Sequence, residues 1–244
     1  MNDSWDFLLT EFRRLGGIAD NVCQKEGEYG RGIFPVNPNL RAKIFTPSKL
    51  LIKKDDIYLE DNKLRIKKDR NYEEEVRNFF NFYQDNFSWD TGGRETTELF
   101  EEGLSLFNSN LKQLIKKYAL VDIDLRHKGS WDDVIKDQFL NSRVVEFRGA
   151  GVISPIWDLV NHKVRSLNFI INKDGISTPN YPPSEDEIRH SYAYLSPLSC
   201  FFSYGFFSEE TIVFSLPLSI NVEDLGISIT CRGLSLIDDS MKIE

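Results

Sequence analysis

The chain has 244 residues, 41% hydrophobic and 13% aromatic, enough to bury one large core or two small ones. Its 30 Lys and Arg against 38 Asp and Glu leave a formal charge of -8, which argues against a dedicated nucleic-acid binder, whose phosphate contacts need clustered basic residues. Three cysteines and three histidines are spaced too widely for a disulfide framework or a metal cluster, and no apolar run approaches the roughly 20 residues of a membrane span; the expectation is a soluble intracellular protein, cytoplasmic rather than nuclear, without metal, nucleic-acid or membrane partners.

In residues 4–15 the side chains of Trp5, Leu8, Leu9, Phe12 and Leu15 share one helical face, and Gly16-Gly17 ends the helix. Next comes a glycine-punctuated turn running into a strand, with Gly27, Gly30 and Gly32 inside Glu26 to Phe34. Glycines so placed mean a turn with positive φ or a backbone that something approaches closely. Short strands are expected at 42–46, 50–53, 57–60 and 63–67, with Asp55-Asp56 and Asp61-Asn62 as turns. The basic stretch from Lys63 to Arg70 begins as a strand with a solvated face.

From Tyr72 the apolar period becomes helical. Val76, Phe79, Phe80, Tyr83 and Phe87 form one stripe; Leu99, Phe100, Leu106, Phe107, Leu111, Leu114, Ile115 and Tyr118 suggest a second. Both read as core. Ser130-x-x-Asp133 resembles a capping box with Asp in place of Glu and opens a third helix towards Arg143.

In Val152 to His162, Asp158, Asn161 and His162 are polar residues sealing an otherwise apolar run. Buried without partners, such groups cost roughly 1 to 3 kcal/mol each, so something should be bonded there. A strand over 166–172 should end at the turn Lys173-Asp174-Gly175, and the Pro-rich stretch 178–184 reads as a loop. Glu185 to Tyr192 then leads through Ser196-Pro197 to Tyr204-Gly205-Phe206, and the last clear strand runs over 212–220.

Gly30-Arg31-Gly32, Asn141-Ser142-Arg143, Asp158-x-x-Asn161-His162, and Tyr192 followed by Tyr204-Gly205-Phe206 occur in an order that resembles the SET domain. The likeness is to the subgroup of the Rubisco lysine methyltransferases, whose SET domain is split by a helical insertion, and it runs from about Gly16 to Ile220. It implies an α+β SET-type fold with an N-terminal part over 1–70, a helical insertion over 71–147, a C-terminal part over 148–222 and a tail over 223–244. It also implies S-adenosylmethionine as cofactor and a protein substrate, with lysine as the acceptor. On this likeness the turn of Gly30, Arg31 and Gly32 meets the cofactor through its backbone, and Arg143 faces the cofactor carboxylate. Asn161 stands where an amide bonds the ammonium and carboxylate ends, His162 where backbone groups read the adenine edge, and Asp158 where the subgroup has an acidic residue before that pair. Tyr192 and Tyr204 match the two active-site tyrosines. Phe169 stands in the substrate channel where relatives have another tyrosine, which implies a tendency to di- or trimethylation.

Two positions depart from the family pattern beside Tyr192: Ala193 replaces a glycine, and Pro197 replaces the asparagine after Ser196. They support an alternative, a SET-like protein that binds a peptide or cofactor without transfer. A related subgroup methylates histidine, which makes histidine the alternative acceptor, and an unrelated α+β protein with coincident motifs is the remaining reading.

Overall fold

In the computed structural model of the chain, residues 3–28, 30–90, 93, 98, 101–103, 105–117, 130–164, 166–192, 197–206, 218–222, 227–231, 234–237 and 240–243 are described. By internal contacts the chain divides into Met1–Glu95 with Ile135–Tyr192, and Thr96–Val134 with Ala193–Glu244.

The first unit begins with helix α1 (Asp3–Arg14), which buries Trp5, Leu8, Leu9, Phe12 and Leu15 as its spacing requires. It ends where Gly16 takes φ +85°, a value that costs glycine little. Four short strands then pair across the sequence: β1 (Ile18–Asp20) and β4 (Lys43–Pro47) join β12 (Gly175–Ser177) and β11 (Ile170–Asn172) in the antiparallel order β1-β4-β12-β11. Strands β2 (Val22–Gly27) and β3 (Gly30–Pro35) make a hairpin in which Gly27 faces Gly30. Strand β5 (Ile52–Lys53) pairs with β9 (Ala150–Ile153), which also carries β8 (Val144–Phe147). Strands β6 (Ile57–Glu60) and β7 (Lys63–Ile66) turn at Asp61 and Asn62, both at positive φ, which Asp and Asn tolerate better than most residues.

Helix α2 (Glu74–Asn86) packs on α1 and β7 and buries Val76, Phe79, Phe80 and Tyr83, with Phe87 just beyond its end. The Phe12 and Phe79 rings stack 6.0 Å apart, and Trp5 meets Phe87 edge-on at 5.6 Å. The strand expected over 166–172 is shorter than its pattern: only Ile170–Asn172 pairs. Upstream of it the Ser166 hydroxyl donates to the Arg189 carbonyl at 2.7 Å and the Phe169 ring packs on other aromatics, so side-chain contacts rather than a ladder hold that segment.

In the second unit α3 spans Ser109–Lys117; α4 (Trp131–Asn141), whose residues from Ile135 on belong to the first unit, starts at a capping box. There the Asp133 amide donates to Ser130 Oγ at 3.2 Å and the Ser130 amide to Asp133 Oδ2 at 3.3 Å. The second apolar stripe is not uniformly core: Leu106, Leu111 and Leu114 are exposed, while Phe107 stacks on Phe201 at 5.6 Å. Leu106 stands in a turn before α3, and α3 itself has more apolar side chains than the described residues around it cover. Helix α5 (Pro197–Tyr204) closes on Gly205 at φ +83°, whose amide donates to the Phe201 carbonyl at 2.8 Å. Two hairpins follow, β14 (Leu218–Val222) with β15 (Ile227–Cys231) and β16 (Leu234–Ile237) with β17 (Ser240–Ile243), where a strand ending near Ile220 and then a tail were expected. Leu99, Phe100, Tyr118, Ala193 and residues 212–217 lie outside the described residues. Among the described residues no helix is long and apolar enough to cross a membrane.

Back in the first unit, β10 (Asn161–His162) and β13 (Arg189–His190) form a parallel pair with Asn161 beside Arg189 and His162 beside His190. The Ile188 amide ties this pair to β3 through the Ile33 carbonyl at 2.7 Å. His190 is buried, its ring 5.6 Å from Trp157, 5.3 Å from Phe169 and 4.9 Å from Tyr192. Burial pushes its imidazole down to about 4, with the Ser191 carbonyl opposing the shift and His162 adding to it. An unfolded chain protonates the same ring near its ordinary 6.5. Between those values the unfolded state binds more protons, so stability falls as pH drops through the window. Urea unfolding between pH 7 and pH 4 should therefore show the native protein losing about 3 kcal/mol that His190→Phe does not lose. Parallel stability curves for the two proteins would contradict a neutral buried His190.

Candidate functional site

Two clusters of polar side chains meet along the segment from Asp158 to His162. The first is built on the glycine turn at the start of β3. Gly30 has φ +84° and nothing within 4 Å of where a Cβ would stand, so its requirement is conformational. The Arg31 guanidinium lies at the surface 3.9 Å from Glu26, while its carbonyl accepts from Asn161 Nδ2 at 3.2 Å. A Cβ on Gly32 would fall 2.0 Å from Glu187 Oε1 and 3.0 Å from Asn161 Nδ2. The room that Gly32 leaves is thus taken by a carboxylate of the protein itself, where the sequence suggested an approaching cofactor. Glu187 Oε1 accepts from Asn161 Nδ2 at 2.6 Å, its Oε2 lies 3.8 Å from Arg189 Nε, and its side chain is 6% exposed.

The second cluster surrounds Asp158, on a 3-10 turn over Trp157–Leu159. Its side chain has no exposed surface. It accepts from the hydroxyls of Tyr83, on α2, and Ser88, the latter at 2.7 Å, and Arg143 Nε lies 3.9 Å from Oδ2. Tyr83 in turn accepts from the Ile156 amide at 3.1 Å. Burial pushes the Asp158 carboxyl up, against the pull of Arg143 and of the two hydroxyls. Burial, with Asp158 beside it, pushes the Tyr83 hydroxyl well above its ordinary range. Arg143 stands two residues past the end of α4, its guanidinium 4.0 Å from the centre of the Phe139 ring, and its buried Nε makes no hydrogen bond. Asp158 therefore acts on Arg143 and on the fold, and Arg143 is the member of this cluster that reaches the surface.

His162 links the Asn-His pair to Tyr192 directly. The Tyr192 amide donates to His162 Nδ1 at 3.1 Å and the rings lie 5.1 Å apart, so the imidazole side chain, and not only its backbone, belongs to the site. The acceptor role of Nδ1 places the proton of a neutral ring on Nε2. The Tyr192 hydroxyl donates to the Val160 carbonyl at 2.9 Å. Phe169 is partly buried with its ring 6.1 Å from Trp157. Tyr204 is in the second unit, at the end of α5, its ring 6.2 Å from Phe206; burial raises its hydroxyl pKa, with Cys200 adding to the shift.

Of the sequence-derived residues, the structure thus brings Arg31, Gly32 and Asn161 together, joins His162 to Tyr192, and ties Arg143 to Asp158. Glu187, Tyr83, Ser88 and His190 were not singled out. In the sequence Glu187 and His190 stand only as members of the segment Glu185 to Tyr192 that leads to the tyrosine, and Tyr83 reads as one aromatic of a core stripe. Only the demand of Asp158 for a partner pointed to Tyr83, without naming it. Glu187 and Arg189 also line a cavity of about 180 Å³ whose Ser166 and Tyr181 hydroxyls both donate to the Arg189 carbonyl.

No protein-family model matches the chain, and no curated protein matches it by sequence. Solved structures do. The SET domain of LSMT bound to lysine and AdoHcy superposes with a TM-score of 0.50 at 16% identity, covering 92% of this chain and 62% of that one. Rubisco LSMT bound to sinefungin and monomethyllysine gives 0.50 at 16% identity, over 92% of this chain and 61% of that one. Rubisco LSMT bound to AdoMet gives 0.53 at 14% identity, over 99% and 68%. The chain spans 61–62% of the length of the first two. At such identities the likeness speaks for architecture: the protein has an α+β fold of the SET type.

Proposed function

We propose that the protein is a protein methyltransferase that uses S-adenosylmethionine and methylates lysine. The observation that carries this reading is the hydrogen bond from Asn161 to the Arg31 carbonyl, which joins the glycine turn to the Asn-His pair across 130 residues. A SET-type fold is the context in which those two motifs have a shared purpose.

The residues present suit the cofactor's zwitterionic end. Asn161 Oδ1 makes no hydrogen bond among the described residues, and a lone acceptor suits an ammonium. Arg143 keeps part of its side chain at the surface while its Nε faces Asp158, and a guanidinium fork suits a carboxylate. Bound there, S-adenosylmethionine would supply the methyl to a neutral amine, an N–CH3 bond replacing its S–CH3 bond with a neutral thioether as the leaving group, and the proton lost would be the one the lysine ammonium gives to water before the attack.

The protein's own part is alignment and exclusion of water. Because the Tyr192 proton is committed to the Val160 carbonyl, that hydroxyl presents only lone pairs to an electron-poor methyl. Tyr192 is accordingly a positioning group for the donor and amine rather than an obligatory base. The aromatic faces of Phe169, Trp157 and Tyr192 favour a cation, and desolvation beside them lowers the pKa of an entering lysine, freeing the neutral amine that must attack. The rival reading, binding without transfer, draws on Ala193 and Pro197; the rival acceptor is histidine.

Thermal unfolding with S-adenosylhomocysteine tests the cofactor assignment. At about a hundred times the dissociation constant the ligand should add about 2.7 kcal/mol, and Asn161→Ala should abolish most of that gain; no stabilisation of the native protein would end the proposal. Radiolabelled S-adenosylmethionine with cell extract, followed by mass spectrometry, separates transfer from binding and lysine from histidine. In the same assay the native protein should form di- or trimethylated product and Phe169→Tyr should shift it towards monomethyl, because an added hydroxyl restrains a methylated amine. Equal methyl counts for the two would retire the role given to Phe169.

A further inference from the structure

We infer that Glu187 is a positioning residue for the donor's amino-acid end, acting by fixing which way the Asn161 amide faces. The inference rests on the proposed use of S-adenosylmethionine. An asparagine side chain carries two N–H donors on one atom and an acceptor on the other, and its two orientations are nearly equal in shape. Here both neighbours of Nδ2 are acceptors, the Arg31 carbonyl at 3.2 Å and Glu187 Oε1 at 2.6 Å. A flipped amide would set its oxygen against both, so the orientation follows from the partners. Both N–H groups are spent, and Oδ1 alone remains for a ligand. Asn161 can then receive an ammonium and cannot donate to a carboxylate, which leaves the carboxylate to Arg143 and sets the polarity in which the donor's amino-acid end can lie.

Glu187 can do this only because of its seat. Its carboxylate stands 2.0 Å from where a Cβ of Gly32 would be, and Arg189 Nε lies 3.8 Å from its other oxygen, so any side chain at 32 would expel it. β10 and β13 hold Asn161 and the segment of Glu187 in register, and the Ile188 amide fastens that segment to the carbonyl of Ile33, next to Gly32. Glycine at 32 thus serves the ligand indirectly, by admitting the carboxylate that orients the amide.

The test compares two ligands on the native protein, on Glu187→Met, which fills the space without an acceptor, and on Glu187→Gln, whose carbonyl can still accept from Nδ2. S-adenosylhomocysteine carries the amino-acid end; 5′-methylthioadenosine carries the same nucleoside thioether without it. Calorimetry should show Glu187→Met binding S-adenosylhomocysteine at least tenfold more weakly, 5′-methylthioadenosine within about twofold of native, and Glu187→Gln restored to within about threefold on both. Adding Asn161→Ala to Glu187→Met should cost little more, since both act on one contact. If Glu187→Met does not fold, Glu187→Ser is measured in its place. Native-like binding of S-adenosylhomocysteine by the folded variant overturns the inference, and so does an equal loss for both ligands, which marks a purely structural role. If the native protein binds neither ligand, the cofactor reading falls and takes this one with it.

Discussion

A carboxylate with no exposed surface has to be matched, and Asp158 sets terms that four parts of the first unit must meet. Helix α2 brings Tyr83, the turn after it brings Ser88, the end of α4 brings Arg143, and the 3-10 turn holds Asp158 itself. Tyr83 is the pivot, because it donates to Asp158 while accepting from the Ile156 amide. Ile156 is held at φ +70°, a conformation unfavourable for a β-branched residue that the surrounding contacts must maintain. The four residues after Asp158 inherit this anchoring, and they end in the Asn161-His162 pair.

How much of this could be read from the sequence depended on whether a contact was local. Helices α1 and α2 follow from apolar spacing, the β6–β7 turn from Asp61-Asn62, and the opening of α4 from Ser130 and Asp133, all within a few residues. Pairings such as β4 with β12 leave no such trace, since each strand's partner lies far along the chain. The pattern over 166–172 overstated its strand because alternation reports a half-buried extended segment and not whether a ladder partner exists. Leu106, Leu111 and Leu114 misled in the opposite way: helical spacing shows that a helix has an apolar face, and leaves open how much of that face is covered.

The site divides along the same line. Residues whose type is demanding could be picked out: glycines in a turn, an Asn-His pair closing an apolar run, an arginine after a helix. What each demand was for could not. Gly32 looked like a place for a ligand to come close, and the atom that comes close is Glu187 Oε1. Asp158 looked like a ligand-facing acid, and it faces Tyr83, Ser88 and Arg143. A glycine or a buried acid announces that something must fit, but the partner is chosen by the tertiary fold, and for Gly32 the partner was Glu187, more than 150 positions away along the chain.

The two clusters differ in their charged groups. Glu187 and Arg143 have opposite charge and reach the Asp158–His162 segment from different elements, Glu187 through Asn161 and Arg143 through Asp158. His190 is placed on neither side. Enclosed by Trp157, Phe169 and Tyr192 and held neutral by burial, it adds ring surface without adding charge. A charged imidazole there would repel any cation brought towards Tyr192, whereas a neutral one leaves that approach governed by aromatic faces and by the lone pairs of the tyrosine oxygen. The burial that costs stability in acid is thus the same burial that keeps His190 from adding a positive charge beside Tyr192.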